Sequence, residues 1–222
     1  MIKRTTLAQR TLPTYTNGEE TMNMVTHIVG GAFGIIALIL CITKALWAHT
    51  YSTLPSSAIY GICMICIYTF SSIYHGLHPG TAKKVWQILD HCTIYFMISG
   101  TYTPILVNAI APQFPVIGWG LLIGQWTLCA LATTLTAIDL KKYRIFSMIC
   151  YILMGWCIIC FAPQVISVIG SAGFAYLLMG GIVYTLGAIL FAIRLPWFHS
   201  IFHIFVVAGS VLQFIAIYVY II

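Results

Sequence analysis

From about residue 24 onward the chain is a succession of long apolar runs broken by short polar or turn-forming punctuation. The runs cover 24–46, 55–77, 86–108, 115–137, 145–163, 172–193 and 198–221. Between them stand Pro55, His78-Pro79-Gly80, Pro112 and Pro115, Lys141-Lys142, Pro163, Gly170 to Gly173, and Pro196. A membrane-crossing helix needs about 20 apolar residues in succession, and each run is near that length. Barrel strands would instead show apolar and polar residues alternating over segments of about ten. The pattern therefore predicts an all-α integral membrane protein, a bundle of seven transmembrane helices. Residues 1–23 form a short polar N-terminal segment, and 24–222 form the membrane domain. The first run is too long for the core of a secretory signal and lacks a nearby small-residue cleavage site, so it reads as a retained first helix. Gly30 and Gly34, and the set Gly180, Gly181 and Gly187, have the small-residue spacing that lets membrane helices approach closely.

Composition sharpens this picture. Apolar types make up 61% of the 222 residues and charged types 6%, against about 25% charged in a soluble domain. Mean hydropathy is +0.99. The few basic residues are unevenly placed. Lys3, Arg4, Arg10, Lys83, Lys84, Lys141, Lys142, Arg144 and Arg194 all fall on one side of a seven-crossing bundle, and Lys44 falls near the other. Cytoplasmic loops carry the excess of Lys and Arg, so the N-terminus is expected in the cytoplasm and the C-terminus outside. The partner implied is membrane lipid, with no nucleic acid. All eight cysteines lie within apolar runs. They read as small packing residues, since neither Cys63-x-x-Cys66 nor Cys157-x-x-Cys160 has basic neighbours that would favour a thiolate.

Ionisable residues at membrane depth are costly and point to function. Ser71 and His75 lie four apart near the end of the second run, Asp90 lies near the start of the third, and His199 and His203 lie four apart at the start of the seventh. With alternating helix directions these five residues, from three helices, share one depth in the cytoplasmic half. Neutral imidazoles bind zinc, and catalytic zinc sites use three protein ligands with a fourth position open. His75, His199 and His203 are thus the candidate metal ligands. Asp90 is the candidate general base, and Ser71 the candidate hydrogen-bond donor to a water or carbonyl. Each also has a plain structural reading: histidines at the interface meeting headgroups, Asp90 paired with Lys83 or Lys84, Ser71 bonded to its own helix. Convergence in depth favours the site. Three imidazoles accept several divalent ions. Of the rest, His91 points away from Asp90, His78 is a loop residue, His49 is on the outer side, and Asp139 reads as a solvated loop charge beside Lys141 and Lys142. Glu20, Asn23 and His27 share a helix face with Gly30 and Gly34, read first as a structural hydrogen-bond network and second as a substrate contact.

These residues fall into a known pattern. Glu20-Thr21-Met22-Asn23-Met24-Val25-Thr26-His27, Ser71-Ser72-Ile73-Tyr74-His75, Leu89-Asp90, Gly100-Thr101-Tyr102-Thr103-Pro104 and His199-Ser200-Ile201-Phe202-His203 resemble the motifs of the hemolysin III family, the bacterial branch of the progestin and adiponectin receptor superfamily. The resemblance spans almost the whole chain. It implies a multi-pass protein of the bacterial inner (plasma) membrane, with seven helices and the N-terminus inside. It also implies Zn2+ on His75, His199 and His203, with a water bridging toward Asp90, and Ser71 as the motif serine. Related alkaline ceramidases look like zinc-dependent lipid amidases, and other relatives are linked to membrane-lipid homeostasis. Three functions follow as expectations: a zinc-dependent hydrolase of a lipid amide or ester, a non-enzymatic sensor of membrane state with structural zinc, and a cytolysin. The last has no amphipathic pore-forming segment behind it. The long cytoplasmic N-terminal domain of the eukaryotic receptors is not in this sequence, and the seventh run has no lysine for a retinal Schiff base.

Overall fold

The computed structural model describes residues 5–193 and 195–222. Lys3, Arg4 and Arg194, three of the charges used to orient the chain, lie outside the described residues. All regular structure among the described residues is helical. Helix α1 is Asn17–Trp47 and α2 is Leu54–Gly76. Helix α3, Thr81–Pro104, continues through a π-helical stretch, Ile105–Ile110, into a last turn at Ala111–Gln113. Helix α4 is Pro115–Ile138, and α5 is Arg144–Trp156 followed by a 3-10 segment, Cys157–Phe161. Helix α6 is Ala162–Ala192 and α7 is Phe198–Tyr220. Among the described residues, six helical runs are long and apolar enough to cross a membrane: Asn17–Trp47, Tyr51–Gly76, Thr81–Gln113, Pro115–Ile138, Arg144–Ala192 and Phe198–Tyr220.

The runs predicted at 145–163 and 172–193 both lie within the 49-residue helical run Arg144–Ala192. The expected break at Pro163 is not there, because Pro163 sits in the first turn of α6, where its missing N–H costs nothing. The break expected at Gly170 to Gly173 is there, at Gly170, with φ 73° and ψ 167°. Glycine reaches that conformation without a Cβ clash.

Helix α1 starts at Asn17, earlier than its apolar run, because Thr16 caps it. The Thr16 hydroxyl accepts from Glu19 N at 3.2 Å, and the Glu19 carboxylate accepts from Thr16 N at 2.8 Å. This reciprocal capping box satisfies two N–H groups that the first turn would leave open. It also turns Glu20, Asn23 and His27 onto one line with Gly30, Gly34, Ala37, Cys41 and Ala45, and from Asn23 onward that line is buried. The close approach is visible at Gly30, where a Cβ would stand 2.5 Å from the Tyr68 ring of α2. The Tyr68 hydroxyl donates to Ser210 of α7 at 2.6 Å, and Tyr184 of α6 bonds the same hydroxyl at 2.8 Å. One serine thus satisfies the buried phenol of Tyr68 and the half-buried one of Tyr184, and ties three helices.

Asp139, expected as a solvated charge, is 2% exposed. It accepts Thr5 N at 2.7 Å and Lys141 N and Lys142 N at 3.1 Å each. Burial alone would raise its pKa, but the three backbone donors outweigh it and hold the carboxyl below its ordinary range. The N-terminal segment is thereby fastened to the α4–α5 turn. Lys84 Nζ fastens the same segment to the start of α3, through Ala8 O at 3.1 Å.

Candidate metal centre

His75 stands in the last turn of α2, and His199 and His203 in the first two turns of α7. Their Nε2 atoms converge: His75 to His199 is 3.2 Å and His199 to His203 is 3.1 Å. All three candidate donor atoms lie within 4.8 Å of one another. Two nitrogens held about 2.0–2.1 Å from one tetrahedral ion are roughly 3.3 Å apart, so the spacing suits a single small cation.

The opposite ring nitrogens explain why the Nε2 atoms face inward. His75 Nδ1 lies 2.6 Å from Glu20 Oε2, and His203 Nδ1 lies 3.1 Å from the Asn23 carbonyl oxygen. Both partners are acceptors, so both Nδ1 atoms carry the proton and both Nε2 atoms present lone pairs. Asn23 Nδ2 also stands 3.4 Å from His75 Nδ1. The shorter carboxylate contact decides the tautomer, and the amide there is then only a neighbour. His199 Nε2 can donate a proton to one flanking lone pair but not to both. A cation at the meeting point satisfies all three, so the donor set fits a divalent metal of the zinc type.

The surroundings are equally defined. Tyr15 stacks on His199 with ring centroids 5.0 Å apart and planes 15° from parallel. Burial there pushes its phenol pKa up. His27 stacks on His203 at 3.7 Å, and neither of its ring nitrogens has a protein partner. Asp90 and Ser71, hydrogen-bonded to each other, line one cavity with His27, His199 and His203. Asp90 lies outside the cluster of three donor nitrogens. It makes no pair with Lys83 or Lys84: Lys83 bonds Glu20 at 2.7 Å, Lys84 bonds Ala8, and the nearest base to Asp90 is His91 at 3.7 Å. His91 Nδ1 is turned to its own helix, at Gln87 O 2.8 Å away. His78 is an exposed loop residue, and His49 stands at the other end of α1 against Tyr51.

The cavity measures about 240 Å³. Its lining is mainly apolar, with Met97, Ile105, Ile158, Leu177 and Val206 among it. Exposed Arg144, at the start of α5, also lines it. Sequence reasoning missed two contributors to this region. Glu19 accepts Trp197 N at 2.6 Å; the Thr16-x-x-Glu19 capping signature already places that carboxylate in the first turn of a helix. Tyr15 carries no sequence signal for its place over His199.

The Haemolysin-III related family matches residues 15–214. Hemolysin-3 of Bacillus cereus is 38% identical over 204 residues, covering 91% of this chain and 92% of that protein. The hemolysin-3 homolog of Bacillus subtilis (strain 168) is 31% identical over 207 residues, covering 93% and 96%. The adiponectin receptor protein of Drosophila melanogaster is 25% identical over 227 residues, covering 88% of this chain and 49% of the receptor. The match takes in every residue of the histidine site, and the chain belongs to the hemolysin III family within the progestin and adiponectin receptor superfamily.

Proposed function

We propose that this protein crosses the cell membrane seven times, N-terminus in the cytoplasm, holds zinc on His75, His199 and His203, and hydrolyses an amide or ester bond of a membrane lipid. The observation that carries the reading is the convergence of three imidazoles, two of which, His199 and His203, line a mainly apolar cavity together with Asp90 and Ser71. Zinc bound there supplies a Lewis acid that polarises a carbonyl and makes water acidic. Asp90, which lines the same cavity as His199 and His203 and lies outside the ligand set, accepts a proton from the attacking water. Ser71, 1% exposed beside Asp90, donates a hydrogen bond to the oxygen on which charge develops. The apolar length of the cavity takes the hydrocarbon chain.

The seven-crossing count rests on the 49-residue run. At 1.5 Å per residue its summed helical length is about 70 Å, more than twice a hydrocarbon core of about 30 Å, and it is divided at Gly170. The orientation rests on charge. Thr5–Asp139 and Lys84–Ala8 gather the N-terminal segment, the start of α3 and the α4–α5 turn at one end, with Arg10, Lys83, Lys84, Lys141, Lys142 and Arg144. Lys44 bonds the Tyr218 carbonyl at the other end. The basic end faces the cytoplasm, consistent with a bacterial inner membrane.

Purified zinc-loaded protein incubated with lipid amides and esters, products read by mass spectrometry, tests the activity. Turnover lost in Asp90→Ala with metal retained supports it. Metal without turnover assigns the site to a sensor of membrane state.

A further inference from the structure

We infer that the adjacent carboxylates Glu19 and Glu20 are positioning residues of the metal centre, one for each of the two helices that carry its histidines. The inference rests on the metal reading above and goes beyond it, since neither residue is a ligand.

Two helices far apart in the chain must present nitrogens to one ion. His75 and His199 are separated by 124 residues, and no loop joins α2 to α7. Binding sites hold their geometry only when the ligands are fixed by surrounding bonds to within about 0.5 Å. The first turn of α1 supplies those bonds. Successive residues on a helix point about 100° apart, so neighbours in sequence reach different neighbours in space. Glu20 reaches toward α2 and Glu19 toward α7.

Glu20 Oε2 receives the Nδ1 proton of His75 at 2.6 Å, which fixes both the ring and its tautomer. Its other oxygen, Oε1, is held by Lys83 Nζ at 2.7 Å. Lys83 is 3% exposed, and its ammonium also donates to Leu77 O at 2.9 Å and His75 O at 3.4 Å. The lysine therefore closes the end of α2 and aims the carboxylate at once. Carboxylates that accept the second N–H of a ligating histidine orient the ring and raise its basicity.

Glu19 does the corresponding work for α7. Its Oε1 accepts Trp197 N at 2.6 Å, and its Oε2 accepts Thr16 N and Thr16 Oγ1 at 2.8 and 2.9 Å. Trp197 has φ 66°, left-handed backbone that a bulky residue rarely adopts. It is the residue before Phe198 opens α7, two positions ahead of His199. Gly18 completes the joint, since a Cβ there would stand 3.1 Å from the Trp197 ring. The held N–H of Trp197 sets where α7 begins, and hence where His199 and His203 stand.

The test uses full-length protein in detergent with cobalt(II) as the probe. Affinity is read by chelator competition, coordination by the visible absorption of the bound ion, and fold by thermal unfolding of chelator-treated protein. Glu20→Ala is expected to weaken cobalt binding by about 10–100-fold and to alter the spectrum. Glu20→Gln, which keeps an acceptor for His75, restores most of the affinity. Lys83→Met, which frees Glu20 Oε1 and the carbonyls that end α2, is expected to lower the unfolding temperature of the metal-free protein and to weaken cobalt binding by less than Glu20→Ala does. Glu19→Ala weakens binding through the other helix, and tests the inference independently should Glu20→Ala fail to fold. Wild type that binds cobalt, with Glu20→Ala and Glu19→Ala matching its affinity and spectrum, overturns the inference alone. Wild type that takes up no cobalt overturns the metal reading and the inference with it.

Discussion

His27 lies almost flat against His203, ring centroids 3.7 Å apart and planes 17° from parallel. It is 4% exposed, and both of its nitrogens lack a protein partner. A buried polar atom with no bond costs roughly 1–3 kcal/mol. His27→Phe keeps the stacked ring and removes both orphaned atoms, so thermal unfolding is expected at the wild-type temperature or above it. His27→Ala removes the stack and leaves a hole beside a ligand, and is expected to unfold earlier. The contrary order would show that the nitrogens of His27 are satisfied by something other than protein. A loss of lipid turnover in a stable His27→Phe would add a substrate contact to its packing role.

Gly30 sits under Tyr68, whose ring is fixed by the hydroxyl bond to Ser210 and by the edge of His27 at 5.1 Å. A methyl group at Gly30 would enter the ring at 2.5 Å. Gly30→Ala is expected to destabilise by about 1–3 kcal/mol, the cost typical of overpacking. Chemical denaturation in detergent measures it, and an unchanged midpoint would mean that α1 and α2 separate more easily than their packing implies.

Asp139 gives the pH dependence a definite sign. Its folded pKa lies below the ordinary carboxylate value. Its stabilising contribution is therefore complete above that ordinary value and is lost as pH falls through the lowered one. Unfolding temperature is expected to drop on acidification below about pH 4, and to drop less in Asp139→Asn. Asparagine can still accept from Lys141 and Lys142 but turns an amide toward Thr5 N. Hydrogen exchange at residues 5–10 should then quicken in that variant while the helices keep their protection.

Much of this was legible from residue types and spacing. The apolar runs located the helices, and His75, His199 and His203 were brought together because helix direction alternates along the chain. Other features were hidden for physical reasons. Pro163 and Gly170 are both breakers by type, and only backbone conformation distinguishes a first-turn proline from a glycine at positive φ. Asp139 looked solvated because its partner Thr5 is 134 residues away. Glu19 meets Trp197 across 178 residues. Local pattern carries no information on either pairing.

Metal binding should register as stability, since an ion held by α2 and α7 is released on unfolding. Treatment with a strong chelator is expected to lower the unfolding temperature of wild type and to leave that of His75→Ala unchanged. Equal shifts in both would place the chelator effect elsewhere in the protein.

The central claim is a single metal on three histidines, and elemental analysis of detergent-purified protein tests it most directly. About one zinc per chain in wild type, lost in His203→Ala with the fold intact, is the predicted result. Well-folded wild type without stoichiometric metal would contradict it, and would reduce the three histidines to packing and headgroup contacts.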